Sequence, residues 1–163
     1  MVGFSRGRNW LYRTLAVFKE YASVKDYKEP DVAIIRNLLW ILYAENAFTL
    51  VKLSGRTIAD NITGPLIMDP RRLIFFGEQP HPEWDSFLRR HGNHGEITYY
   101  PQCGHTLPEI CDALKKVVAR QQGKCVIDIT GANEQMVIAA RRTADGDRRV
   151  SLVRSTPDGT LEN

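Results

Sequence analysis

Two short runs of this chain carry residue types that could do chemistry. Ser54-Gly55-Arg56-Thr57 and Thr130-Gly131-Ala132-Asn133 each combine hydroxyls, a glycine and a row of backbone N–H groups. Turns of this kind hold anions, because N–H groups at a helix start point outward and glycine lets a ligand approach the backbone. Arg56 adds a cation. The chemistry is that of holding a phosphodiester or a nucleotide, and it needs no catalysis. Asp128 lies two residues before Thr130. It could serve as an acid, but a carboxylate there more readily braces the turn that follows.

Other reactive residues form no pattern. His81, His91, His94 and His105, with Cys103 near His105, match no zinc spacing and read as loop histidines in water. Cys103, Cys111 and Cys125 are an odd number without a CxxC pair, which suits free thiols better than a disulfide framework. GxGxxG, GxxxxGK[ST] and GxSxG are all absent, which disfavours a classical dinucleotide site, a P-loop ATPase and an α/β-hydrolase. No catalytic residue, no metal ligand and no cofactor is expected.

The two turns need strands before them and helices after them. Cys125–Ile129 is an apolar, β-branched run with one acid, the signature of a buried parallel strand. Residues from Asn133 to Arg142 continue as a helix, with Asn133 or Thr130 as cap and Glu134 in the first turn, where the helix dipole favours an acid. Upstream, Phe48–Leu53 reads as a first strand. Ile58–Met68 reads as a helix disturbed by Gly64-Pro65, and Arg72–Phe76 as a second strand closed by Gly77. Glu83–Arg90 is a short helix, Ile97–Tyr100 a third strand and Thr106–Gln122 a long helix with Gly123 at its C-cap. Val150–Val153 is a fifth strand, followed by a turn over Thr156–Thr160. Strands alternating with helices imply a mostly parallel sheet with right-handed crossovers. If the first and fourth strands are central, the two turns meet at one edge of that sheet.

The expected fold is therefore α/β: a Rossmann-like, mostly parallel sheet of five or six strands flanked by helices. It occupies residues 47–163. Residues 1–46 form an N-terminal helical extension, with amphipathic helices over Asn9–Glu20 and Asp31–Glu45. A hydrophobic content of 43% and a charged content of 25% are those of a soluble globular protein. A net charge of +3 permits an anionic ligand without arguing for a duplex-binding surface. The basic start lacks a long apolar segment and cleavage site. Val32–Tyr43 contains Arg36 and Asn37 and is too short to span a bilayer. No membrane association is expected, and the location expected is cytoplasmic.

The runs Phe48–Leu53, Ile58–Leu66, Asp69–Gly77 and Val126-Ile-Asp-Ile-Thr-Gly131 resemble CARF domains, the CRISPR-associated Rossmann fold. The resemblance is to the amino-terminal sensor half of Card- and Can-type effector nucleases, and Val150–Leu161 resembles the strand and turn that end that sensor. In that family the fourth strand ends in Asp-hydrophobic-Thr-Gly-Gly, followed by a lysine and a methionine. Here Ala132 replaces the second glycine, Asn133, Glu134 and Gln135 stand in place of the lysine, and Met136 matches. The resemblance implies a cyclic oligoadenylate as ligand, a homodimer with the pocket across its two-fold axis, and no duplex nucleic acid through this domain. The implied ligand-binding set is Ser54, Gly55, Arg56, Thr57, Gly77, Thr130, Gly131, Ala132 and Asn133. The acidic and lysine motif of the family's nuclease half does not occur, so the chain is expected to sense rather than cut nucleic acid. A ring nuclease acting on the same ligand is one alternative. A degenerate module that binds a protein partner is another.

Overall fold

The computed structural model describes residues 47–91, 95–155 and, as backbone, 161–162. The two expected N-terminal helices, His94 and the turn over Thr156–Thr160 lie outside the described residues. The rest alternates strand and helix: β1 Thr49–Leu53, α1 Ile58–Met68, β2 Arg72–Phe76, α2 Pro82–Arg90, β3 Glu96–Tyr100, α3 Leu107–Ala119, β4 Cys125–Asp128, α4 Glu134–Gly146, β5 Val150–Ser155 and β6 Leu161–Glu162.

The sheet order is β3-β2-β1-β4-β5-β6. The first five strands run parallel and β6 pairs antiparallel with β5. Growth of the sheet reverses between β1 and β4, which makes their carboxyl ends the topological switch point of a Rossmann-like sheet. The central strands β1 and β4 are buried at every position, as in a parallel sheet with helices on both faces.

Side-chain alternation divides the core in two. On one face Val51, Leu53, Ile74, Phe76 and Ile127 pack with Ile110, Leu114 and Val117 of α3 and with Met136, Ala139 and Ala140 of α4. Leu50, Lys52, Leu73, Phe75, Val126 and Asp128 alternate with these and are fully buried. On this second face Trp84 of α2 tilts against Phe75 at 5.3 Å between ring centres. Helix α1 comes very close to β4. A Cβ on Gly64 would stand 2.0 Å from Asp128 Oδ2, so only glycine lets the helix settle there.

Local chemistry sets the helix starts. Thr57 opens α1 with a capping box: its hydroxyl accepts from the Asp60 N–H at 3.1 Å, and the Asp60 carboxylate accepts from the Thr57 N–H at 3.1 Å. Thr106 and Glu109 do the same for α3. The backbone N–H bonds that the Glu109 carboxylate accepts hold its pKa below the ordinary value. Asn133, rather than Thr130, caps α4, accepting from the Met136 N–H at 2.9 Å.

Some details differ from those expected: α4 runs on to Gly146 and β5 to Ser155. Helix α1 runs unbroken through Pro65 to Met68. A proline interrupts only the bond to the carbonyl four residues earlier, and burial of Asn61, Ile62, Gly64, Pro65 and Met68 holds the helix in place. Helix α3 stops at Ala119 with Arg120 as its cap, so Gly123 belongs to the connection that follows, at φ +76°.

Candidate functional site

The crevice at the switch point stands on two buried side chains of opposite kind, a lysine and an aspartate. Lys52 and Asp128 are cross-strand partners, both wholly removed from solvent. The Lys52 ammonium donates to the carbonyl of Leu53 at 2.5 Å and to that of Thr130 at 2.9 Å. It therefore ties the end of β1 to the turn after β4. Burial lowers the Lys52 pKa, and the negative charges of Asp128, Asp60 and Glu78 oppose that shift.

Asp128 braces the turn that follows it, as the sequence suggested. Its Oδ1 accepts from the Thr130 N–H at 2.9 Å and from the Thr130 hydroxyl at 2.5 Å. The Thr130 oxygen in turn accepts from the Ser155 N–H at 2.8 Å and lies 3.0 Å from the Ser155 hydroxyl. A threonine hydroxyl has one proton and two lone pairs, and all three are engaged here. Thr130 is buried, and its side chain holds β5 against the turn. Asp128 Oδ2 is buried without a hydrogen-bond partner.

The first turn is also fastened from below. Asn61, 3% exposed, accepts from the Gly55 N–H at 2.9 Å and donates to the carbonyls of Gly55 at 3.3 Å and Thr57 at 2.9 Å. The Ser54 N–H pairs with the Phe76 carbonyl at 2.9 Å, and the Ser54 hydroxyl donates to Glu78 Oε1. Arg56 and Thr57 face solvent. No hydrogen bond or ion pair among the described residues involves the Arg56 side chain.

The two turns touch. Gly131 sits at φ +68°, and a Cβ there would lie 2.4 Å from Asp60 Oδ2. Gly77 joins them from the end of β2: a Cβ there would lie 3.2 Å from Ser54 Cβ and 3.1 Å from Met136 Cε. Ser54, Gly55, Thr57, Gly77, Thr130 and Gly131 thus border one crevice. Ala132 and Asn133 lead from it into α4.

The backbone donors divide into engaged and available. The N–H groups of Ser54, Gly55, Thr57 and Thr130 bond within the fold, and that of Ala132 reaches the Ile129 carbonyl at 3.1 Å. Those of Arg56, Gly131 and Asn133 enter no hydrogen bond among the described residues. The Thr130 carbonyl is drawn inward by Lys52. In a trans peptide the N–H of the next residue points the opposite way, so the Gly131 N–H is turned from the buried ammonium.

Lys52, Asp60, Asn61 and Glu78 hold the two turns and escaped sequence reasoning. Lys52 left a signal, a lone cation inside the apolar run Phe48–Leu53. Asn61 and Asp60 lay hidden in an ordinary helix start. Glu78 has no pattern around it.

The remaining reactive groups lie beside these turns or beyond them. His81 Nε2 lies 3.4 Å from Glu78 Oε2, with its ring stacked on Trp84 at 4.0 Å. Among the described residues no group of three His, Cys, Asp or Glu could hold a metal ion. All three cysteines are free thiols, and burial pushes Cys125 up to about 11. An open cleft of about 600 Å³ lies beyond β3, between the loop from Tyr100 to His105 and α3 at Glu109, Asp112 and Lys116. Among the described residues no helix is long and apolar enough to cross a membrane.

Fold and site together define a Rossmann-like α/β domain with a polar crevice at its switch point. No family profile matches the chain, and no curated protein matches it. Among solved structures the chain is similar to Can2 from Sulfobacillus thermosulfidooxidans in complex with cyclic tetra-adenylate, at 17% identity and a TM-score of 0.46. The match covers 71% of this chain and 36% of that one, so this chain spans little more than a third of the matched structure.

Proposed function

We propose that residues 47–163 form a CARF-like sensor domain that binds a cyclic oligoadenylate in the crevice at the ends of β1 and β4. The observation that carries this reading is the placing of two sequence runs. Val126–Gly131, which resembles the fourth strand of CARF domains, is central and parallel to β1. Its turn lies against the turn of Ser54–Thr57. The N–H groups of Arg56, Gly131 and Asn133 and the guanidinium of Arg56 are donors suited to phosphate oxygens. The pocket is completed across the two-fold axis of a homodimer, which places two copies of these donors around one ring. The ligand is held, with no step of bond cleavage assigned to the protein.

Arg56 gives the first test. Its side chain is exposed and engaged with no other described residue, so Arg56→Ala should leave the fold intact. Loss of one charge-assisted contact should weaken binding by about 1.5–3 kcal/mol. Calorimetry with cyclic tetra-adenylate, at one fixed salt concentration, measures the change. Equal affinities for the two proteins would take Arg56 out of the site.

A further inference from the structure

One polar pair in the crevice has a chemistry opposite to that of a phosphate site. The Ser54 hydroxyl donates its only proton to Glu78 Oε1. A carboxylate has no proton to offer, so the pair presents lone pairs alone. Among the described residues Glu78 Oε2 has only a long contact, 3.4 Å to His81, and the Glu78 side chain is 18% exposed, which leaves it within reach of a ligand. Ser54 borders Gly77 and the first turn of the site, so the pair lies beside the donors of Arg56 and Gly131. A phosphate placed against Ser54 and Glu78 would find no donor there and a like charge.

We propose that Ser54 and Glu78 form a specificity-determining acceptor pair that reads a hydrogen-bond donor of the nucleotide ligand, while its phosphates lie on the backbone donors. This rests on the cyclic oligoadenylate reading above. Such a ligand offers two kinds of donor, the ribose 2′-hydroxyl and the adenine amine. The positions of Lys52 and Asp60 fit the division. Lys52 offsets the carboxylates from below, and Asp60 is turned into the capping box of α1. Glu78 differs from Asp60 in being paired with a hydroxyl that has no further proton to give. Sites built to bond a donor reject analogues that lack it, because the acceptor is then left unpaired.

The test compares ratios of affinity, which a purely structural role would leave unchanged. Calorimetry on the full chain uses cyclic tetra-adenylate, its 2′-deoxy analogue and cyclic tetra-inosinate, with wild type, Glu78→Ala, Glu78→Gln and Ser54→Ala. Wild type should reject one analogue by roughly tenfold or more, in line with a bond to a charged acceptor. Rejection of the deoxy ring identifies the hydroxyl as the group read, and rejection of the inosine ring identifies the amine. In Glu78→Ala and Ser54→Ala that ratio should fall to about twofold or less, with Glu78→Gln deciding if the alanine variant fails to fold. Wild type that binds all three rings alike would overturn the inference and leave the binding reading standing. So would variants that keep the wild-type ratio. A wild type that binds none of the rings would overturn both.

Discussion

Lys52→Met should destabilise the domain by about 1.5–3 kcal/mol, the usual worth of hydrogen bonds made by a charged group. The methionine fills the space but leaves the Asp128 charge uncompensated and takes the ammonium from the carbonyls of Leu53 and Thr130. Those carbonyls belong to the ends of β1 and the turn after β4, so the loss falls on the crevice itself. Denaturant unfolding of both proteins measures the change, and a loss below about 1 kcal/mol would contradict the account. Adding Asp128→Asn to Lys52→Met should restore part of the stability, since the uncompensated charge goes with it.

The same residue sets a pH dependence. Burial holds the Lys52 pKa below its ordinary 10.5, so between the two values the unfolded chain binds the proton more tightly than the folded one. Stability carried by this group therefore rises as pH rises from the folded pKa towards 10.5. Lys52→Met should lack that rise.

Gly131→Val should both loosen the turn and abolish binding of the cyclic ligand. The left-handed backbone at φ +68° costs a non-glycine residue roughly 1–2 kcal/mol. The new Cβ would also press on Asp60 at 2.4 Å from Oδ2 and 2.8 Å from Cβ, and such overpacking typically adds about 1–3 kcal/mol. Asp60 is not free to withdraw, because it closes the capping box of α1. The total, roughly 2–5 kcal/mol, is a large share of the stability of a domain this size. Thermal unfolding together with calorimetry in cyclic tetra-adenylate would check it. A protein of wild-type melting temperature that still binds would place the pocket elsewhere.

The five parallel strands were legible because each is a mostly apolar run too short for a helix and bounded by turn residues, whereas β6, Leu161–Glu162, is too short to leave a pattern. The parallel sheet followed from the alternation of strands with helices. The switch point was legible only as a condition, since no local pattern says that β1 pairs with β4. That pairing is decided by burial across the whole sheet.

At the site, residue types could be read but not their engagements. Thr130 was visible as a hydroxyl beside a glycine. That its hydroxyl is saturated depends on Asp128 two residues before it and on Ser155 in β5. Ser54 likewise was visible as a hydroxyl, while its acceptor Glu78 lies beyond a second strand. Lys52 could have been singled out, because a cation in a buried strand must have partners. The apolar pattern around it led instead to a plain strand.

The most direct measurement is a calorimetric titration of the chain with cyclic tetra-adenylate, with the oligomeric state read in parallel by light scattering. Saturable binding is expected at one ring per two chains, with intact ring recovered afterwards and affinity lost in Gly131→Val. Absence of binding by a folded wild-type protein at high micromolar ligand would contradict it.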